Sequence, residues 1–150
     1  MSEAETGAEA AVAAADPAAQ GWQRRHTFSG FPALVGPIWT RADPDGTRAY
    51  GFVAERRHLN AVGIVHGGMV STLADLALGI EAWHAAGGAK AVTVQLNVHF
   101  VGAVREGDLV EARAQVLRAA RSVLFLRGLL TVGERTVASA DGVWKVLGAR

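Results

Sequence analysis

The sequence predicts an α+β domain in which one long, central, apolar helix is wrapped by a curved antiparallel sheet of about six strands. Residues 69–86 place apolar side chains at helical spacing, a period-two alternation replaces it from Ala91 onward, and only short turns separate the strand-like runs that follow. With 150 residues, half of them apolar, the chain fits one compact core and leaves no room for a second domain.

The first 20 residues, MSEAETGAEAAVAAADPAAQ, are rich in Ala and Glu and have no basic stretch ahead of an apolar core. They read as a mobile or partly helical tail rather than a signal peptide, with the folded domain expected over residues 21–150. Between Gly21 and Val35, Trp22, Phe28, Phe31 and Leu34 are interleaved with Arg24, Arg25 and His26. That mixture suits a short helix or loop packed on the domain better than a nucleic-acid arm. Residues 36–41 and 48–55 read as two strands joined at Asp43-Pro44-Asp45-Gly46, where proline fixes φ and glycine supplies a positive one.

In the helix, Val70, Leu73, Ala74, Ala77 and Leu78 follow the i, i+3, i+4, i+7, i+8 spacing of a buried face, while Leu76, Ile80 and Trp83 carry apolar character to the other side. A helix apolar nearly all round needs covering on every face. No uninterrupted apolar run is long enough to span a bilayer, so the expected cover is protein and no membrane partner is expected. Gly87-Gly88 is a helix stop signal. In the next run Val92, Val94, Leu96, Val98 and Phe100 are expected on one face and Thr93, Gln95, Asn97 and His99 on the other. Three more strands are expected over residues 109–118, 122–132 and 136–147.

Composition excludes several classes of function. A formal charge of +1 with no Lys/Arg run gives no basic stripe for nucleic acid. The absence of cysteine removes thiolate nucleophiles, disulfides and zinc-thiolate sites, and suits a reducing compartment, so a cytoplasmic location is expected. The sequence holds no G-x-S-x-G elbow, no phosphate-binding P-loop and no H-E-x-x-H zinc pair. His66 and Asp75 are a poor metal pair, being nine helical positions and more than about 10 Å apart, and no metal is expected.

What remains is the stretch from His58 to His84. Its glycine-bearing approach (Asn60, Gly63, His66, Gly67, Gly68) leads into a helix start without bulk, where backbone N–H groups and the positive end of the helix dipole can approach a carbonyl oxygen or an anion. Asp75 stands mid-helix among Leu73, Leu76 and Leu78, where an unpaired carboxylate is costly. The bland alternatives are that His66 and the glycines merely begin a helix, and that Asp75 is a capped or salt-bridged core acid. Glu81, on the apolar stripe, reads as salt-bridged or end-of-helix burial; His26, His58, His84 and His99 read as surface or packing residues.

The run Asn60-Ala-Val-Gly-Ile-Val-His66-Gly67-Gly68 followed by Asp75 resembles the signature of the hotdog-fold acyl-CoA thioesterases of the PaaI-like type, which include phenylacetyl-CoA-pathway thioesterases and the thioesterase superfamily member 2 enzymes. The resemblance covers residues 35–147 in order and spacing. It implies that the Gly67 N–H and the Asn60 side chain polarise the thioester carbonyl, that Asp75 acts as general base or nucleophile, and that His66 lies near the departing sulfur. It also gives Thr93 the task of placing the water, in a position where serine is common among relatives. Gly68 is grouped with the substrate contacts, and Arg118 and Arg121 with coenzyme A, Arg56, Arg57 and Arg105 being secondary candidates. Relatives often have a glycine where this chain has Ala119-Ala120. The thioester is substrate, and no cofactor is implied.

Helix geometry adds a constraint. Gly67 and Asp75 are eight residues apart, or about 12 Å along one helix, so a single carbonyl cannot meet both. If both act on one thioester, the acid comes from a second subunit with an antiparallel helix, and the site requires at least a homodimer. Family members pair such dimers into tetramers, and the sequence leaves dimer and tetramer open. A non-catalytic acyl-CoA-binding or sensing module, and an acyl-CoA dehydratase or hydratase, are the competing readings. The acyl group, whether aryl-acetyl, hydroxybenzoyl, short or medium chain, also stays open.

Overall fold

The computed structural model describes residues 14–148. Most of the expected tail, residues 1–13, lies outside the described residues. The remainder of it is docked: the Ala15 N–H donates to the Gly107 carbonyl at 3.0 Å, Pro17 is buried, and a 3-10 turn spans Ala18–Gln20.

The elements in chain order are β1 (Gln23–Arg24), α1 (Phe31–Val35), β2 (Trp39–Ala42), β3 (Arg48–Val53), a 3-10 turn at Arg56–His58, α2 (Gly67–Ala85), β4 (Ala91–Phe100), β5 (Leu109–Ala119), β6 (Val123–Val132) and β7 (Arg135–Val146). The strands form one antiparallel sheet of seven in the order β1-β2-β3-β5-β6-β7-β4. That is one more strand than expected, because the two-residue β1 extends the β2 edge through Gln23 and Arg24. The β2–β3 turn forms at Asp43-Pro44-Asp45-Gly46, with Gly46 at φ +85° and the Asp43 N–H donating to the Thr47 carbonyl at 2.8 Å.

Helix α2 starts on His66, whose Nδ1 accepts the Gly68 N–H at 2.8 Å, an N-cap that satisfies one otherwise orphaned donor. It ends in a Schellman motif: Gly88 donates to the Trp83 carbonyl at 2.9 Å and Gly87 to that of His84 at 3.0 Å, both glycines at positive φ. Its buried face is Met69, Val70, Leu73, Ala74, Ala77, Leu78 and Ala82, packed on sheet residues such as Tyr50, Phe52, Val110, Leu124 and Trp144. Strand and helix approach closely at Gly128, where an added Cβ would stand 2.8 Å from Leu78 Cδ1. Single-chain cover stops there. Leu76, Gly79 and Ile80 are only half buried and Trp83 is 43% exposed, so the expected all-round wrapping is not completed by this chain's own sheet.

Strand β4 corrects a second expectation. Its register with β7 shifts between Thr93 and Gln95, so Val94 is an inserted bulge residue. Residues directly opposite in a ladder share a face. Thr93 pairs with Trp144 and Leu96 with Gly142, which places both on the inner side with Trp144. The bulge thus turns Thr93 toward the helix and leaves Val92 and Val94 outside, 45% and 66% exposed.

Candidate active site

Two groups of site residues form at different ends of α2. At its start, the loop ahead of the helix folds around Asn60. The Asn60 Oδ1 accepts the Val62 N–H at 3.0 Å and the Ile64 N–H at 3.3 Å, and Gly63 takes φ +81° to close the turn. With Oδ1 committed to two donors, the amide orientation is fixed and Nδ2 has no partner among the described residues. The chain then returns to β-like pairing: Leu59 bridges Val65, and the His66 N–H donates to the His58 carbonyl at 2.7 Å.

His66 Nδ1 accepts the Gly68 N–H, so the neutral ring carries its proton on Nε2 and presents a donor, not a base, to whatever lies beyond. A Cβ on residue 68 would stand 2.9 Å from His66 Nδ1, which is why glycine is needed there. The Gly68 N–H is spent on this cap, whereas the Gly67 N–H has no acceptor among the described residues. Gly67 lies beneath the Phe100 ring, 3.2 Å from where a side chain would begin. A groove of about 330 Å³ opens here between His66, Leu59, Met69, Thr72 and Phe31.

Two turns along α2, the Thr93 hydroxyl donates to Asp75 Oδ1 at 2.6 Å. Asp75 is half buried and makes no ion pair among the described residues, so the salt-bridged alternative does not apply and Oδ2 is left without a partner. The pair faces a groove of about 730 Å³ walled by Leu76, Ile80, Trp83, Leu96 and Trp144. Thr72 and Phe31 border both grooves. Asn60, His66, Gly67 and Gly68 are thus gathered in one place and Asp75 and Thr93 in another, and the chain does not bring the two groups together.

Arg118 and Arg121 flank the exposed β5–β6 turn and make no ion pair among the described residues. The register Ala119↔Leu124, Leu124↔Trp144, Trp144↔Thr93 runs straight across the sheet. The turn is therefore level with Thr93, three strand spacings or about 14 Å away. Arg57 is spent on structure: it bonds Glu55 at 2.9 Å, the Leu34 carbonyl at 2.7 Å and the Gly36 carbonyl.

Glu81 is salt-bridged, as its sequence context implied. Arg48 grips it with two bonds of 2.7 Å, and the buried Tyr50 hydroxyl donates to it at 2.7 Å. Burial pushes the Glu81 carboxyl up, but the bonds from Arg48 and Tyr50 outweigh it and hold the group below its ordinary value. Burial of Tyr50, with Glu81 adding to it, raises the phenol well above its usual range. His84 is held low by burial first, then by the charge of Arg48, with Arg25 contributing. His58 is a packing residue: buried, with Nδ1 accepting the Glu55 N–H at 3.0 Å and Nε2 on the Val35 carbonyl at 2.8 Å. Sequence reasoning missed that Arg25, Phe28 and Phe31 line the Asp75 groove. Only the Phe28, Phe31, Leu34 spacing beside Pro32 hinted that α1 lies over the helix.

The fold and these two groups of residues define a class: an α+β hotdog protein with an uncrowded helix start and a mid-helix acid. The chain belongs to the Thioesterase superfamily, whose family profile matches residues 62–139. It is 35% identical over 126 residues to a Pseudomonas aeruginosa protein named "Putative esterase PA0474", covering 83% of this chain and 94% of that one. Among solved structures it resembles the BH2602 protein of Bacillus halodurans determined with CoA (26% identity, TM-score 0.75, 84% of this chain and 83% of that one). It also resembles zebrafish thioesterase superfamily member 2 (27% identity, TM-score 0.71, 81% of this chain and 89% of that one). Membership supports thioester hydrolysis as the general reaction.

Proposed function

We propose that the protein hydrolyses acyl-CoA thioesters at two equivalent sites, each built between two subunits. The observation that carries this reading is the division of labour along α2. Donors with free N–H groups lie at its start, and a carboxylate with a free oxygen lies about 12 Å further along. Neither half can complete a hydrolysis alone, and an antiparallel second helix supplies what each lacks. The sheet edge supports such pairing, because among the described residues β4 offers ten residues with no strand on its outer side and exposes Val92, Val94, Phe100 and Val101 around it. The uncovered face of α2 at Leu76, Ile80 and Trp83 supports it too. The CoA held by the Bacillus halodurans relative supports the choice of thioester.

In this reading the carbonyl oxygen is received by the partner's Gly67 N–H and the partner's Asn60 Nδ2, donors placed for the oxyanion that forms on attack. The Thr93 hydroxyl holds Asp75 Oδ1, turning Oδ2 toward the carbonyl carbon, where it takes a proton from an attacking water or attacks directly. The partner's His66 offers its Nε2–H to the sulfur as the C–S bond breaks. Arg118 and Arg121 receive coenzyme A phosphates at the level of Thr93.

The test is thiol release from a panel of aromatic and aliphatic acyl-CoAs by the wild type and by Asp75→Asn. Loss of the base or nucleophile lowers the rate about a hundredfold or more. Absence of release from every member of the panel would sink the proposal and favour a binding or sensing module.

A further inference from the structure

The Asp75 groove is apolar along most of its length, with Leu76, Ile80, Trp83, Leu96 and Trp144 in its walls, yet Arg25 also lines it. The Arg25 guanidinium lies over the Phe28 ring at 5.0 Å from its centre and, among the described residues, makes neither a side-chain hydrogen bond nor an ion pair. The neighbouring cation is different in kind, since Arg48 is taken up in both directions by Glu81. A half-buried arginine held by an aromatic face, with no anion beside it among the described residues, is placed to receive one from a ligand in the groove.

Resting on the thioesterase reading, we propose that Arg25 is a specificity residue that receives a carboxylate at the far end of the acyl group, so that the preferred substrates are CoA thioesters of dicarboxylic acids. Position and length agree. Along α2 the groove runs from Asp75 to Trp83, eight residues or about 12 Å, and Arg25 lines it. An acyl chain of about six to eight carbons, met by the reach of the arginine side chain, spans that gap, its methylenes lying between the tryptophan and aliphatic walls and the partner subunit that closes the groove's open side. The phosphates of coenzyme A are a poor match for Arg25, because the long pantetheine arm sets them far from the sulfur and this groove has an apolar lining.

The test compares adipyl-CoA with hexanoyl-CoA, and suberyl-CoA with octanoyl-CoA, by kcat/KM for the wild type, Arg25→Met and Arg25→Lys. Methionine keeps the apolar stem, and the Arg25 main-chain bond to the Ile38 carbonyl at 2.9 Å is independent of the side chain. Circular dichroism confirms that each variant is folded. The wild type favours the diacid thioester, and the preference falls about tenfold or more in Arg25→Met while Arg25→Lys keeps part of it, as for a site that loses a charged hydrogen bond. A wild type that favours the methyl-ended thioester, or a ratio unchanged by Arg25→Met, overturns the assignment of Arg25 and leaves the thioesterase reading standing. Absence of release from all four substrates overturns the assignment as well, whereas the thioesterase reading falls only if aromatic acyl-CoAs are also left intact.

Discussion

Replacing Gly142 by alanine tests the link between the β4 bulge and the site. Gly142 pairs with Leu96 just past the bulge, and a methyl added there would overlap the Gln95 carbonyl oxygen and stand 2.8 Å from two carbons of the Trp144 ring. Neither neighbour can yield easily: Gln95 is held in the β4–β7 ladder, and Trp144 is 1% exposed. Overpacking of this kind costs about 1–3 kcal/mol, which for a domain of this size lowers Tm by about 2–12 °C. Because Thr93 pairs directly with Trp144, the same displacement disturbs the 2.6 Å bond to Asp75, and thiol release falls along with stability. Gly67→Ala is the contrasting control. Its methyl would meet the Phe100 ring at 3.2 Å, but that side chain is 57% exposed and can swing away, so Tm changes by less than about 2 °C. Thermal denaturation followed by circular dichroism reads both. A Gly142→Ala protein that melts with the wild type and retains full activity would refute the packing argument.

Thr93→Val keeps shape and loses the hydroxyl that holds Asp75, so kcat falls about 10–100-fold while Thr93→Ser retains most of it; steady-state kinetics on any accepted thioester decides. Glu81→Gln costs about 1.5–3 kcal/mol at neutral pH by weakening the charged bonds to Arg48, measured by urea unfolding. The pH dependence has a definite sign. A carboxyl held low in the folded state contributes stability that is full above its unfolded value near 4.5 and is lost as pH falls through the folded value. Wild type therefore loses more stability than Glu81→Gln on acidification below about pH 4.5, and parallel pH profiles would exclude Glu81 as a contributor.

Much of the fold was legible because local signals agreed with one another. The His66-Gly67-Gly68 start, the Gly87-Gly88 stop and the apolar spacing between them delimit α2, and the turn at Asp43-Pro44-Asp45-Gly46 separates β2 from β3. The bulge was not legible. Val92, Val94, Leu96, Val98 and Phe100 alternate without interruption, so an extra residue in the ladder leaves no trace in the pattern, and only pairing with β7 reveals that Thr93 faces inward. The site residues at Asn60, His66, Gly67 and Asp75 stood out from residue type and spacing, and helix rise alone separated them into halves. The role of Gly68 as the residue that lets His66 cap the helix needed atomic contacts. Arg25 escaped notice because it sits in a short irregular segment whose aromatic and basic residues carry no periodicity, and its place in the groove is set by tertiary packing against α2.

The central claim is that one site draws its acid from one subunit and its carbonyl donors from the other. Mixing two inactive variants, Asp75→Asn and Asn60→Asp, under conditions that exchange subunits tests it directly. Asn60→Asp keeps the acceptor that holds Val62 and Ile64 while removing the Nδ2 donor. With random pairing half the dimers are mixed, each with one intact site, so thiol release recovers to about a quarter of the wild-type rate. Activity that stays at the level of the separate variants, with subunit exchange verified, would contradict the shared site and place the whole reaction within one chain.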